Sequence, residues 1–308
     1  MTTPAHTPYD GSSKPFTIGL KPLDPATWIE FDSDLKTYLD EKKRLYATIP
    51  GKVFVEEPDT RAAQQEVLEM LRAHVEEKLP ALKSPEREVL AAALDEMRRA
   101  PADVPPLKAA SLLVPEDLIL MRRGENGWRL AAGSLCFPSS WSLEEKFGHP
   151  LEDIHGPVPG FGRGTRNAEL IHRMFDRLHQ PVERMNWSLQ AGRVLYYPLS
   201  AAQRIDRATR RPSKFTEAHI AAQVFIRVER QTLRKLPVSG DILFTIRIYI
   251  DPLTLIGQMP ERRAIARNFA QQLTEMEEAQ LDYKGLTADR DRLVAALDEI
   301  AERETAGS

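Results

Sequence analysis

The stretch QVFIRVERQTLRKLPVSGDILFTIRIYI, residues 223–250, carries the clearest secondary-structure signal in the chain. Residues 223–235 and 241–250 alternate in side-chain type at every second position, which is the period of a β-strand, and PVSG at 237–240 is a turn signal between them. We therefore predict a pair of antiparallel strands. If their aliphatic faces lie together, Arg230 and Thr232 project into an apolar region, where a guanidinium needs a partner.

A second hairpin is predicted upstream of this pair. Residues 118–122 and 127–137 are rich in apolar side chains, and the turn signal GENG at 124–127 joins them. Ser140 or Ser142 can then cap a short helix, since serine is a favoured N-cap residue. The chain therefore has at least four strands of antiparallel type.

The segment IHGPVPG, residues 154–160, is predicted to be an irregular loop. Its two prolines and two glycines oppose both helix and strand. His155 at the lip of this stiff loop is a candidate ligand or acid/base, and a structural, hydrogen-bonding histidine is the alternative.

Helical periodicity dominates both ends of the chain. Amphipathic helices are predicted at residues 25–39, 60–78, 84–99, 166–178 and from 261 to the end, with a break at 284–287. The basic segment at 200–217 is predicted to be a solvated loop, with docking of a partner as the alternative.

The sum is an α+β fold. We predict a disordered tail at 1–15, a helical N-terminal region at 16–106, a core at 107–257 and C-terminal helices packing on it at 258–308. The proline-rich PADVPP, residues 101–106, is the best domain boundary.

The composition excludes several classes of protein. A net charge of -3 and a pI of about 6.2 give no electrostatic footprint for nucleic acid or an anionic membrane. The single cysteine, Cys136, excludes an internal disulfide, an iron–sulfur cluster held by several thiolates and covalent haem attachment. No apolar run approaches the roughly 20 residues of a membrane span, and the N-terminus lacks a signal-peptide pattern, so we expect a cytoplasmic protein.

Blocks of sequence along nearly the whole chain resemble the haem-dependent oxidative N-demethylase α-subunit family, in that family's order. They are GLKPL (19–23), Trp28, GSLCFPS (133–139), WSLEEK (141–146), IHGPVPG (154–160), NWS (186–188), RVERQTL (227–233), FTIR (244–247) and YKGL (283–286). The resemblance implies a PAS-like core, in which helices close a small antiparallel sheet around a ligand. It also implies haem b, dioxygen and a small secondary amine such as dimethylamine. Electrons would come from a separate reductase subunit that carries FMN and an iron–sulfur cluster.

The resemblance favours His155 as the proximal haem and iron ligand. Such a ligand is a neutral imidazole whose second nitrogen is tied down, often by a backbone carbonyl. Cys136 is a rival axial ligand, although its apolar strand favours a buried, inert thiol. Trp187 is a candidate for stacking on the haem, with a core role as the alternative, and Thr245 is a candidate donor to a haem propionate.

Oxidative demethylation of an amine also requires a carboxylate for the ammonium and a fixed cation or donor that polarises the oxygen. Glu229 is the candidate carboxylate, Arg230 or Arg247 the candidate cation, and Thr232 a candidate hydroxyl donor. Strand alternation places Glu229 and Arg230 on opposite faces, and we favour Arg230 as the pocket residue. Cross-strand ion pairs among these residues are the structural alternative. The alternative function is a non-catalytic haem- or ligand-binding PAS-type sensor.

Overall fold

The computed structural model describes residues 3–303. Its strands are β1 (Lys21–Pro22), β2 (Phe54–Glu56), β3 (Asp117–Gly124), β4 (Gly127–Ser134), β5 (Val182–Ala191), β6 (Val224–Lys235) and β7 (Ile242–Pro252). They form one antiparallel sheet in the order β1-β5-β6-β7-β3-β4-β2. The mixed α+β class and both predicted hairpins are confirmed, since β6 pairs with β7 and β3 with β4.

Helices surround this sheet. They are α1 (Leu35–Thr48), α2 (Pro50–Val53), α3 (Arg61–Lys78), α4 (Ser84–Arg98), α5 (Pro106–Ser111), α6 (Leu143–Lys146), α7 (Leu151–His155), α8 (Arg166–Asp176), α9 (Ala201–Arg210), α10 (Ile220–Gln223), α11 (Arg262–Glu275), α12 (Glu278–Lys284) and α13 (Arg290–Glu302). The 3-10 helices lie at Pro25–Thr27, Pro58–Thr60, Leu79–Ala81 and Leu253–Gln258. None of the helices in the described part of the chain is both long and apolar enough to cross a bilayer.

The two faces of the sheet have different covers. On one face, N-terminal helices pack on β3, β4 and β7 through residues such as Leu120 and Leu243, and C-terminal helices pack on β5 and β6 through Ile226 and Val228. We call this the helix-covered face. On the other face, the segment containing α6, α7 and α8 encloses a cavity, so we call it the cavity face. Both faces are therefore largely shielded from solvent.

The N-terminal region adds strands as well as helices. β1 pairs with β5 and β2 pairs with β4, so residues predicted to be helical supply both edges of the sheet. These strands are too short for their alternation to be recognised in the sequence.

The predicted helix at 25–39 begins later in the structure. A 3-10 turn at Pro25–Thr27 and an irregular stretch precede α1, which starts at Leu35. Asp32 accounts for the delay, because its Oδ1 accepts the N–H of Asp34 at 2.9 Å while its Oδ2 lies 2.7 Å from Arg247 Nη2. A side chain that bonds its own backbone favours a turn over a helix.

The predicted disordered tail is corrected over residues 3–15, and residues 1 and 2 lie outside the described residues. Tyr9 is fully buried and stacks on Phe269 of α11, with ring centroids 4.6 Å apart. Asn268 donates a hydrogen bond to the carbonyl of Asp10 at 2.5 Å. The prediction of disorder rested on the polar composition of residues 1–15, which gives no weight to a single buried tyrosine.

The predicted solvated loop at 200–217 is also corrected, because it contains α9. Ser200 and Gln203 form a reciprocal capping box that starts this helix. Its arginines bind the chain itself: Arg204 pairs with Glu145 at 3.2 Å, and Arg207 donates to the carbonyl of Tyr283 at 2.8 Å. The alternative role in docking a partner stays a prediction.

Candidate functional site

A cavity of about 250 Å³ lies between the cavity face and the segment that contains α6, α7 and α8. Apolar side chains make up much of its wall, among them Phe16, Ile119, Met121, Leu151, Val158, Phe161, Met174, Phe175, Phe244 and Ile246. Its charged and ionisable lining residues are Lys146, His155, Arg184, Tyr197, Arg204, Lys214, Glu229, Tyr283 and Lys284. An apolar cavity with a few convergent polar groups is typical of a small-molecule site.

His155 is the residue that most clearly gives the cavity chemical capacity. Its Nδ1 lies 2.9 Å from the backbone carbonyl of Leu151, and a carbonyl only accepts, so Nδ1 carries the hydrogen. Burial lowers the pKa of His155 to about 4, and its hydrogen bond to Leu151 only partly offsets this effect. At neutral pH the ring is therefore neutral, and Nε2 presents a lone pair that can bind a metal ion.

The local fold fixes this orientation. His155 is the last residue of α7 rather than part of an irregular loop, which corrects the prediction. Pro150 is the N-cap of α7, and the bond from His155 to Leu151 spans one helical turn. The two prolines of the motif follow the helix, where they do not interrupt it.

Glu229 supplies the one carboxylate among the described cavity-lining residues. Its Oε2 accepts a hydrogen bond from Gln231 Nε2 at 3.0 Å and a longer one from Asn186 Nδ2 at 3.5 Å. Its Oε1 lies 3.9 Å from the Nε of buried Arg227. Glu229 is therefore anchored by its neighbours while it faces the cavity.

Arg230 lies on the helix-covered face, outside the cavity lining. It is 2% exposed, pairs with Glu183 Oε2 at 2.7 Å and donates to the carbonyls of Thr27 and Trp28 at 2.8 and 3.1 Å. The alternation of side chains along β6 places Glu229 and Arg230 on opposite faces of the sheet, as predicted. However, Glu229 and not Arg230 lines the cavity, which differs from our prediction of Arg230 as the pocket residue. The charge of Arg230 is met by Glu183 of β5, and the N-terminal segment supplies the carbonyls that accept its other hydrogen bonds, which the sheet pattern alone does not reveal.

Three further candidates share the helix-covered face with Arg230. The hydroxyls of Thr232 and Thr245 hydrogen-bond to each other across β6 and β7 at 2.6 Å. Arg247 pairs with Asp32 and lies over the Tyr38 ring, 4.1 Å from its centroid. The structure brings these residues together with Arg230, and it does not bring them to His155 and Glu229.

Trp187 and Cys136 also lie away from the cavity lining. Trp187 donates to Gln272 at 2.9 Å and packs edge-on against Phe269, so it belongs to the core beneath the C-terminal helices. Cys136 is fully buried, and burial raises the pKa of its thiol. Both positions agree with the structural alternatives for these residues.

Sequence reasoning did not single out three cations that line the cavity: Arg184 on β5, Lys214 after α9 and Lys284 at the end of α12. Burial lowers the pKa of all three side chains, to about 7 for Lys214 and about 8 for Lys284. Lys284 lies in the YKGL block and Lys214 in the basic segment, and these are the sequence signals that could have identified the two lysines.

One comparison bears on this site. A family model described as haem-dependent oxidative N-demethylase, alpha subunit-like, matches residues 19–294. That span includes the whole sheet, all the cavity-lining residues except Phe16 and Ile18, and most of the C-terminal helices.

Proposed function

Since this chain belongs to the haem-dependent oxidative N-demethylase, alpha subunit-like family, we propose that it is a haem b-binding catalytic subunit. It oxidises a small secondary amine, such as dimethylamine, with dioxygen. The observation that carries the proposal is the state of His155, which lines an apolar cavity as a neutral imidazole held through Nδ1 by a backbone carbonyl.

The residues of the cavity fit a haem. His155 would ligate the iron through Nε2, with Nδ1–H tied to Leu151 as in other histidine-ligated metal sites. The apolar wall suits a porphyrin ring, and Arg184 provides a buried donor, Nε, that has no hydrogen-bond partner among residues 3–303. We also propose that the sheet and the cavity form a PAS-like core, because the chain belongs to this family and its antiparallel sheet and helices enclose the cavity.

When bound, the haem iron supplies the activation of dioxygen and the oxidation of the N-methyl group. The balanced reaction consumes dimethylamine, dioxygen, two electrons and two protons, and yields methylamine, formaldehyde and water. The protein's own contribution is to bind and orient the amine, to exclude bulk water and to hold the iron ligand in one tautomer.

Glu229 is the residue proposed to hold the substrate. An aliphatic amine is a cation at neutral pH, and a carboxylate in a water-poor cavity binds it by a charge-assisted hydrogen bond. Gln231 and Asn186 leave lone pairs of the carboxylate free for this purpose, because each donates a single hydrogen bond.

The electrons would come from a separate reductase subunit with FMN and an iron–sulfur cluster. The supporting observation is the cysteine count, since one buried thiol cannot hold such a cluster.

The proposal is tested by reconstituting the protein with haem and supplying electrons from a photoreduced flavin in air, with catalase present. We expect formaldehyde and methylamine in equal amounts, dependent on haem, dimethylamine and dioxygen, with His155→Ala as the inactive control. If haem and dioxygen bind but no formaldehyde forms from any small methylamine, the enzyme proposal fails and the PAS-type sensor replaces it.

A further inference from the structure

The cavity lining has more positive than negative charge. It includes Arg184, Lys214 and Lys284, which come from segments that are distant in the sequence, and Glu229 is the one carboxylate among the described lining residues. The charges of Arg184 and Glu229 both act on Lys284, and that of Lys284 acts on Lys214, so these groups form one cluster. We call it the cationic cluster.

The hydrogen bonds of the cationic cluster go to neutral acceptors. Lys284 Nζ donates to the carbonyl of Trp187 at 2.5 Å, and Lys214 Nζ to those of Leu189 and Lys284 at 3.2 and 2.5 Å. Carbonyl dipoles orient these cations without cancelling their charge.

Arg184 is in a similar position. It donates to Gln231 Oε1 at 3.3 Å and to the carbonyl of Thr17 at 3.1 Å, and its buried Nε has no partner within residues 3–303. An unpaired buried donor on a cation is costly, so a site that retains one is expected to have an anionic ligand.

Packing holds the cluster in place around Gly285. A Cβ added there would lie 2.9 Å from Arg207 Nε and 3.0 Å from Lys214 Cε. The glycine therefore lets two cationic side chains approach the backbone that follows Lys284. Because these side chains are packed closely against the backbone, the cationic cluster is a built part of the structure and not a chance grouping of surface charges.

We propose that Arg184, Lys214 and Lys284 bind the two propionate carboxylates of the haem. The inference rests on the proposed function and extends it, because it assigns the orientation of the cofactor to named residues. Two carboxylates would neutralise the excess of positive charge and accept hydrogen bonds from Nζ and Nε donors. Glu229 would then remain available to the substrate ammonium.

The test compares haem with its dimethyl ester, which keeps the ring and the iron and lacks both carboxylates. The haem-free protein is titrated with each in the same mild detergent, and affinity is measured from the Soret band. We expect the wild type to bind haem at least about tenfold more tightly than the ester, since charge-assisted hydrogen bonds are lost with the carboxylates.

The double substitution of Arg184→Met with Lys284→Met should reduce this preference about tenfold or more, mainly by weakening the binding of haem. Lys43→Met removes an exposed cation of α1, paired with Glu96, and should leave the preference unchanged. If the double variant does not fold, the single substitutions Arg184→Met and Lys284→Met are measured instead, and each should reduce the preference for haem.

Equal affinity of the wild type for haem and ester would overturn the inference and leave the proposed function intact. Binding of neither compound would overturn the proposed function, and this inference with it. A preference for haem that survives the double substitution would show that other residues recognise the carboxylates, and would also overturn the assignment.

Discussion

Acidification should destabilise the haem-free protein through His155. Its pKa in the folded protein is about 4, against an ordinary value of 6.5. Above pH 6.5 the ring is neutral in both the folded and unfolded states, so it adds no pH dependence. As the pH falls from 6.5 towards 4, the unfolded chain takes up a proton that the folded protein does not, and the free energy of unfolding falls.

The magnitude follows from the two pKa values. Their difference of about 2.5 corresponds to about 3 kcal/mol, at about 1.4 kcal/mol for each pKa unit. Most of this, about 2–3 kcal/mol, should be lost between pH 7 and pH 4.5.

Urea unfolding of wild type and His155→Gln at these two pH values isolates this contribution, because other titrating groups act equally in both proteins. We expect the wild type to lose about 2–3 kcal/mol more than the variant. His172→Gln, which removes a ring that is 39% exposed, controls for the loss of a histidine as such. Parallel losses in wild type and His155→Gln would refute the burial of a neutral His155.

Three further results are expected. Arg230→Met should reduce the free energy of unfolding by about 3 kcal/mol, because Glu183 loses its buried partner and the carbonyls of Thr27 and Trp28 lose their donor, yet leave the Soret band unchanged; a lost band would place Arg230 at the haem. Gly285→Ala and Gly192→Ala both place a side chain at positive φ, at a cost of about 1 kcal/mol. In urea unfolding, Gly285→Ala should lower the free energy of unfolding by more than this amount, because its new methyl group would collide with Arg207 and Lys214, whereas Gly192 has open space around it. Equal losses in the two variants would contradict the close packing at Gly285. Glu229→Gln should weaken dimethylamine binding, followed as a shift of the haem spectrum, about tenfold with unchanged haem content; unchanged amine affinity would remove Glu229 from the substrate site.

The two hairpins at the centre of the sheet are predictable from the sequence, and the side of the sheet that holds the cavity is not. Alternation along residues 223–250 is sufficient to predict β6 and β7. However, both faces of these strands are buried, one under helices and the other around the cavity, so apolar residues occur on both. Glu229 and Arg230 are neighbours on opposite faces, and only the contact of Arg230 with Thr27, Trp28 and Glu183 determines which of them lines the cavity.

The candidate site also has one part that the sequence predicts and one part that it does not. The sequence points to His155 because the evidence is local: a histidine next to a stiff Pro/Gly segment within a recognisable motif. It does not point to the cationic cluster as a unit, because Arg184, Lys214 and Lys284 come together only through the packing of β5, the segment after α9, and α12. Tyr9 was missed for a similar reason, since a single aromatic side chain can order a polar segment without changing its composition.

The decisive measurement is the absorption spectrum, oxidised and reduced, of wild type and His155→Gly purified from haem-supplied cells. We predict a strong Soret band in the wild type that shifts on reduction. In His155→Gly the band should be lost or altered and should be restored by added imidazole, which replaces the missing ring. A wild-type spectrum in His155→Gly, or no Soret band in folded wild type supplied with haem, would contradict the assignment of His155 as the haem ligand.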